Sequence, residues 1–359
     1  MYYRYNIYIM KHLLYATLLV TFSLTGIIWL TQALRFIDFI VNRGISMGGF
    51  LELTLLLIPS LMLFVLPFAL LCSVIYVYYR LSMDSELPVL SGAGLSNLQL
   101  SRPALYVGAI VSLFSYFISL YLLPISYHQF KDMQVYMRDN YASLLLQEKV
   151  FNSPVEGLTV YIRERDQDGM LHGIIVHDNR DIKSPPMTMM AEQGKLIQSP
   201  QGPHFLMYNG NRQAVENGKL SFLSFDQYTL DIGFYSKAGK VRSKQPEELY
   251  INELLYPQTN NALDRARFIA EGHNRITWPL FPIALAAIAS AILLTGEFNR
   301  RGNAKRIVMI IVIAGLAITA SVGFLNLAVK NPWLITCMYA NIIILSAVSY
   351  AKLRDKKYN

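Results

Sequence analysis

Charge is what this chain has least of. Only 16% of its 359 residues are Asp, Glu, Lys or Arg, against 53% hydrophobic residues and a mean hydropathy of +0.32. That balance excludes an ordinary soluble protein of this size and points to a membrane protein. Cysteine is scarce too. Cys72 and Cys337 both lie in apolar runs, which excludes a disulfide framework and a CxxC metal site. The chain holds no G-x-x-x-x-G-K-[ST] and no HExxH. Gly92-Ala93-Gly94 does not replace the first of these, because a third glycine, a preceding strand and a βαβ context are missing. Any ATP and magnesium must therefore be held by another polypeptide. The first apolar run is too long for a signal-peptide core and has no small-residue cleavage site after it, so no removable leader is expected.

What the chain does have is length without charge. Stretches free of Asp, Glu, Lys and Arg run His12–Leu34, Leu53–Tyr79, Pro103–Phe130, Ile276–Gly296, Ile307–Val329 and Asn331–Ala351. Each reaches the roughly 20 residues that a helix needs to cross a ~30 Å hydrocarbon core. Six transmembrane helices are therefore predicted, with prolines 59, 67, 279 and 282 tolerated by packed neighbours.

Between spans three and four the character changes. Turn signals (Asp168-Gly169, Asn209-Gly210, Asn217-Gly218, Pro185-Pro186) separate runs with strand alternation: Leu158–Glu164, Leu171–Asp178, His204–Gly210 and Lys219–Ile232. Short strands at this spacing predict an inserted sandwich or jelly-roll-like β domain. The expected organisation is 1–130 for spans one to three, 131–265 for the β domain and 266–359 for spans four to six, with Glu247–Glu271 helical.

The net charge of +8 belongs beside the apolar runs rather than in a separate basic stripe, so it reads as topology and not as nucleic-acid affinity. With the N-terminus in the cytosol, Arg4, Lys11, Arg80, Arg102, Arg300, Arg301, Lys305, Arg306, Lys352, Arg354, Lys356 and Lys357 face inward. Only Arg35, Arg43 and Lys330 lie on short outer segments. Both termini are then cytoplasmic, the β domain lies outside, and Ser82–Ser96, SMDSELPVLSGAGLS, is a cytoplasmic link between spans two and three.

In that link Ser85 is an N-cap candidate, and Glu86 falls in the first turn, where the helix dipole favours a carboxylate. Pro88 occupies a position with no N–H partner to lose. Leu87, Val89 and Leu90 give an apolar face, and Gly92 and Gly94 end the helix. A helix of about two turns pinned between two membrane helices suits an element that an ATP-binding subunit grips; a polar loop on the headgroups is the other reading.

Elsewhere, Arg35 stands 24 residues after Lys11, roughly 36 Å along a helix, near the outer interface. Its fork suits a lipid phosphate; pairing with Asp38 is the alternative. Arg43 is a second phosphate candidate, or it marks the helix end. Arg267, Glu271 and Arg275 fall four apart on one helical face, as a polar hinge or as an ion-paired helix start. His273 is expected to hydrogen-bond at the interface. Gly315, Ala317, Ala320, Ser321 and Gly323 give span five a small-residue surface for close helix approach. Phe205, Met207, Phe222 and Phe225 are either the lining of an acyl-chain path or ordinary core. His172, His177 and Asp178 are the best candidates for an enzyme. Histidines five apart on a strand face opposite sides, so no catalysis is expected in this chain.

SELPVLSGAGLS (85–96) resembles the S-E-x-x-x-(L/M)-x-x-x-G-(L/M)-S segment of the LptF/LptG family of lipopolysaccharide-export permeases. Glu271-x-His273-x-Arg275-x-x-x-Pro279 resembles that family's E-x-H-x-R-x-x-x-P. The likeness covers essentially the whole chain. The segment WLTQALRFIDFIVNRG (29–44) is closer to the LptF branch, and Leu87-Pro88 is a departure. The resemblance implies an ABC-transporter permease subunit of the bacterial inner membrane, paired with an LptG-type permease on an LptB ATPase dimer. It would hand lipopolysaccharide to periplasmic LptC and LptA. By the same resemblance Glu86 meets an LptB arginine; Leu87, Val89 and Leu90 enter its groove, with Gly94 closing the motif; and spans one and five form lateral gates. A mechanotransmission protein that carries no lipid would share the cytosolic helix and is the alternative.

Overall fold

The computed structural model describes residues 2–37, 47–140, 148–155, 157–166, 169–180, 185–199, 202–216, 219–231, 244–295 and 304–354. They form two compact units. The first takes Met1–Ile37, Gly48–Asp132 and Lys244–Asn359, and the second takes Asp38–Met47 and Met133–Ser243.

The first unit is helical. In chain order it holds α1 (Tyr2–Arg35), α2 (Met47–Leu55), α3 (Ile58–Met83), α4 (Glu86–Gly92) and α5 (Asn97–Phe117). The last continues through a π segment (Ile118–Leu122) into α6 (Leu123–Asn140), whose far end belongs to the second unit. After the β strands come α7 (Ile251–Leu255), α8 (Ala262–Thr277), α9 (Phe281–Leu294), α10 (Ala304–Ala328) and α11 (Leu334–Arg354). Among the described residues six stretches are long and apolar enough to cross a membrane: Arg4–Arg35, Ile58–Met83, Asn97–Val135, Ala262–Leu294, Ala304–Ala328 and Leu334–Arg354. Each contains most of a predicted span. The ends run further because polar residues at helix termini meet headgroups and water while the backbone ladder continues.

Burial ranks the spans. In the most apolar window of Ala262–Leu294, 83% of residues are buried inside the protein, against 22% in Arg4–Arg35 and 28% in Ala304–Ala328. The fourth span is therefore the central post. Its alanine-rich α9 lets α5 approach closely: a Cβ on Gly108 would stand 3.0 Å from Ile283 Cα. The first, fifth and sixth spans are peripheral, and the first and fifth leave large apolar side chains such as Phe22, Leu30, Leu316 and Ile311 exposed.

The second unit carries one six-stranded antiparallel sheet in strict chain order: β1 (Phe151–Val155), β2 (Leu158–Arg165), β3 (Leu171–Asp178), β4 (Met187–Ser199), β5 (Gly202–Glu216) and β6 (Lys219–Asp231). The inserted β domain is thus present. Among the described residues, however, its strands make a single meander and not the two sheets of a sandwich. Its core is Leu158, Val160, Ile162, Ile174, Val176, Met189, Phe205 and Met207.

Three sequence expectations are corrected here. Asn209-Gly210 is not a turn; both residues lie inside β5. Asn209 takes φ +49, and a Cβ on Gly210 would collide with the Phe225 ring and the Met190 carbonyl, so the glycine serves close strand approach. Glu247–Glu271 is not one helix. It is a 3₁₀ turn at Pro246–Glu248, then α7, then a break at Tyr256–Asn261 before α8, since Pro257 cannot donate to a helical ladder. Finally, residues 244–265 belong to the helical unit rather than to the β domain, because Glu248, Leu249 and Leu254 are buried there.

Candidate functional site

Two polar constellations interrupt the apolar bundle. The first is the link between α3 and α5. The chain reverses at Asp84, whose N–H donates to the Arg80 carbonyl at 2.9 Å, and at Ser85, which sits in the left-handed region at φ +58. Ser85 makes no side-chain cap, contrary to expectation, because that backbone turn aims its hydroxyl away from the first helical N–H groups. The two-turn α4 follows as predicted, with Pro88 third in the helix.

Its apolar residues divide. Leu87 is 1% exposed and belongs to the bundle core, while Leu90 packs against that core from the rim. Val89 is 69% exposed. Leu87 is therefore an anchor within its own chain and not a residue offered to a partner's groove. The outward face is left to Val89, the half-buried Glu86 and the exposed Gly92-Ala93-Gly94 turn. Glu86 is also tethered: the Tyr8 hydroxyl on α1 donates to its Oε1 at 3.4 Å.

Beyond Gly94 (φ +89) a capping box starts α5. Ser96 Oγ accepts from Gln99 N–H at 3.2 Å, and Gln99 Oε1 accepts from Ser96 N–H at 2.9 Å. The signal, Ser-x-x-Gln, stands in the sequence and was not used. Two tyrosine hydroxyls hold this turn from neighbouring helices: Tyr5 donates to Gln99 O at 3.0 Å and Tyr78 to Leu100 O at 2.7 Å. The short helix is thus fixed to α1, α3 and α5 together.

The second constellation is built from Glu271-x-His273-x-Arg275-x-x-x-Pro279, and each position has a distinct task. Arg275, 1% exposed, donates to Leu249 O at 2.6 Å and to Pro246 O at 2.9 Å. Its Nε lies 3.7 Å from Glu271 Oε1, one turn back. The guanidinium thereby satisfies carbonyls of the broken connector and supplies a positive partner for the half-buried Glu271. His273 Nδ1 meets the Tyr339 hydroxyl of α11 at 2.9 Å, a hydrogen-bonding role as expected. Pro279 stands where α8 tightens into a 3₁₀ turn before α9. Span three reaches the same place: the Tyr116 hydroxyl donates to Ile276 O at 2.6 Å and Ser119 to Arg275 O at 3.4 Å.

Sequence reasoning missed the connector's share. Gln245 and Glu248 form a capping box, a Gln-x-x-Glu signal open to reading, and His128 on α6 lies 3.5 Å from buried Glu248. Of the predicted Arg267–Glu271–Arg275 stack only the Glu271–Arg275 pair forms. Arg267 is exposed and lines a cavity of about 350 Å³ with Glu247, Glu271 and Asn326.

The remaining candidates scatter. Arg35 is exposed at the last turn of α1. Arg43 and Asp38 lie outside the described residues. In α10, Ala317 and Ser321 turn inward, with Asn341 Nδ2 donating to Ala317 O at 2.8 Å, whereas Gly315 and Gly323 open onto space. Phe205 and Met207 are sheet core, Phe225 packs against it, and Phe222 is exposed. The histidines of β3 stay apart: His172 meets Asp166 at 2.8 Å, and His177 meets Thr188 at 3.0 Å. Among the described residues no group of three or more His, Cys, Asp or Glu could hold a metal ion.

The profile of the lipopolysaccharide export system permease family LptF/LptG matches residues 7–354. A curated relative, "Uncharacterized protein RP871" of Rickettsia prowazekii (strain Madrid E), is 32% identical over 359 residues, covering 98% of this chain and 99% of the relative.

Proposed function

Since the chain belongs to the LptF/LptG family of lipopolysaccharide export permeases, we propose that it is one permease subunit of an ATP-driven exporter in the bacterial inner membrane. A separate LptB-type ATPase would supply the work, an LptG-type permease would complete the membrane path, and LptC and LptA would receive the lipid. The chain itself does no chemistry and binds no cofactor. The observation that carries this reading is α4. It is rigidly held by Leu87 and Leu90, yet it presents Glu86 and Val89 outward. Force applied there passes into α1 through the Tyr8–Glu86 bond, and along the following turn into α5, whose first turn is held by Tyr5 of α1 and Tyr78 of α3.

The peripheral placement of α1 and α10 supports their use as lateral gates. Both leave apolar faces for lipid or for a second permease, and Gly315 and Gly323 allow close approach. Arg35, exposed at the end of α1, suits a lipid phosphate arriving there. The inserted sheet, on the periplasmic side by the lysine and arginine distribution, would pass acyl chains onward.

The test is co-expression with the other permease and the ATPase, with a photocrosslinking residue placed beside Arg35 and a Glu86→Ala variant. Crosslinking to lipopolysaccharide in wild type, together with weakened ATPase binding in the variant, is expected. Normal assembly and ATP hydrolysis by Glu86→Ala would remove the role given to that carboxylate. A crosslink-free complex that still hydrolyses ATP would favour a mechanotransmission protein.

A further inference from the structure

A groove lies between α1 and α3, away from Arg35. It encloses about 360 Å³. Along α1 its lining runs from Tyr8 to Val20, a rise of about 18 Å, close to one leaflet of a ~30 Å hydrocarbon core. Its character changes along that length. Ala16, Leu19 and Val20 line one end. Tyr8, His12, Arg80, Asp84 and Glu86 line the other.

The polar end holds both signs of charge. Arg80 Nε lies 3.5 Å from Asp84 Oδ2, and both side chains are more than half exposed. His12 Nδ1 must donate to the Tyr8 carbonyl at 2.9 Å, since a carbonyl only accepts, and this leaves Nε2 for a further partner. Glu86 is held by Tyr8 at 3.4 Å.

We infer that this groove binds one zwitterionic phospholipid with a primary ammonium in its headgroup, of the phosphoethanolamine class. The phosphate lies toward Arg80, the ammonium toward Asp84 and Glu86, and an acyl chain along Ala16, Leu19 and Val20. Charge complementarity selects this occupant. Two carboxylates, Asp84 and Glu86, outnumber the single cation Arg80 in the lining, so an anionic headgroup would add negative charge to a negative site. A trimethylated ammonium has no N–H to give them. With the orientation proposed above, the lipid belongs to the cytoplasmic leaflet and is resident rather than exported. It bridges α1 to the turn that carries α4.

Native mass spectrometry on the delipidated full chain in detergent micelles tests this. The probes are phosphatidylethanolamine, phosphatidylcholine and phosphatidylglycerol with identical acyl chains. One phosphatidylethanolamine per chain should be retained roughly tenfold better than either other lipid, the discrimination expected of a charge-assisted hydrogen bond. Asp84→Asn, an exposed change that leaves the fold intact, should erase the preference over phosphatidylcholine. Ala16→Phe should reduce retention of all three by filling the tail path. Equal retention of the three lipids, or a preference untouched by Asp84→Asn, overturns the inference. So does displacement by lipopolysaccharide, or a crosslink from position 15 to a partner polypeptide in the assembled complex. Orientation is read separately, by labelling a Ser85→Cys chain otherwise free of cysteine with an impermeant maleimide. Labelling from outside the cell would overturn the topology while leaving the lipid preference standing.

Discussion

Arg275 Nη1 lies 2.6 Å from the carbonyl oxygen of Leu249, a residue 26 positions earlier in the chain. The contact closes the connector onto the central post, and the charge that makes it is almost wholly removed from solvent. Replacing Arg275 by Met leaves Glu271 without its positive partner and two carbonyls without donors. The expected loss is about 3–5 kcal/mol, read as lowered thermal stability in detergent. Arg275→Lys should recover only part of it, because an ammonium cannot fork to two carbonyls in the fixed geometry of a guanidinium. Wild-type stability in the Lys variant would sink this account.

Leu87 and Val89 should separate anchoring from recognition. Leu87→Ala opens a cavity in the bundle core and should cost about 2–5 kcal/mol. Val89→Ala is a surface change, expected within about 0.5 kcal/mol of wild type. Yet Val89→Ala should weaken binding of the ATPase, measured by co-purification, while chemical denaturation of the permease alone stays unchanged.

Gly210 is predicted to resist even a methyl group. Gly210→Ala places a Cβ against the Phe225 ring and the Met190 carbonyl, and about 1–3 kcal/mol should be lost through overpacking. Limited proteolysis of the sheet should accelerate in this variant.

The Asp178–Arg180 pair gives the sheet a pH dependence. Arg180 donates from Nε and Nη2 to the carboxylate at 2.8 and 2.6 Å, and its backbone N–H adds a third bond. These bonds hold the Asp178 carboxyl below the ordinary range, against the opposing effect of burial. A carboxyl with a lowered folded-state pKa adds stability above its unfolded value of about 3.9. That stability is lost as pH falls through the folded value. Asp178→Asn should therefore flatten acid unfolding of the sheet and lower stability at neutral pH; an unchanged acid midpoint would count against the pair.

The spans were legible because one quantity, the absence of charge over about 20 residues, decides them. The boundaries of β3 were legible too, since Leu171–Asp178 is rich in β-branched residues between turn signals. β4 was not foreseen: Met187–Ser199 contains Met, Gln, Gly and Lys and little that favours a strand, and it is held by pairing on both edges. The existence of α4 was readable from its proline and glycines. The inward turn of Leu87 was not, because a two-turn helix flanked by apolar residues has no period long enough to fix its buried side. For the second constellation, the i,i+4 spacing revealed Glu271 with Arg275. The carbonyls of Pro246 and Leu249 are backbone partners at long range, and no side-chain pattern encodes them.

The π segment at Ile118–Leu122 interrupts the regular winding of span three. A π turn holds one more residue than an α turn for the same closure. Deleting a single residue there would restore ordinary winding and leave the helix from Leu123 onward facing as before, whereas the same deletion in an α turn would swing it by about 100°. His128 would keep to Glu248 and Tyr116 to Ile276. The segment therefore absorbs one residue without turning the helix beyond it, so span three carries an extra position while both of its halves keep their partners on the fourth span and the connector.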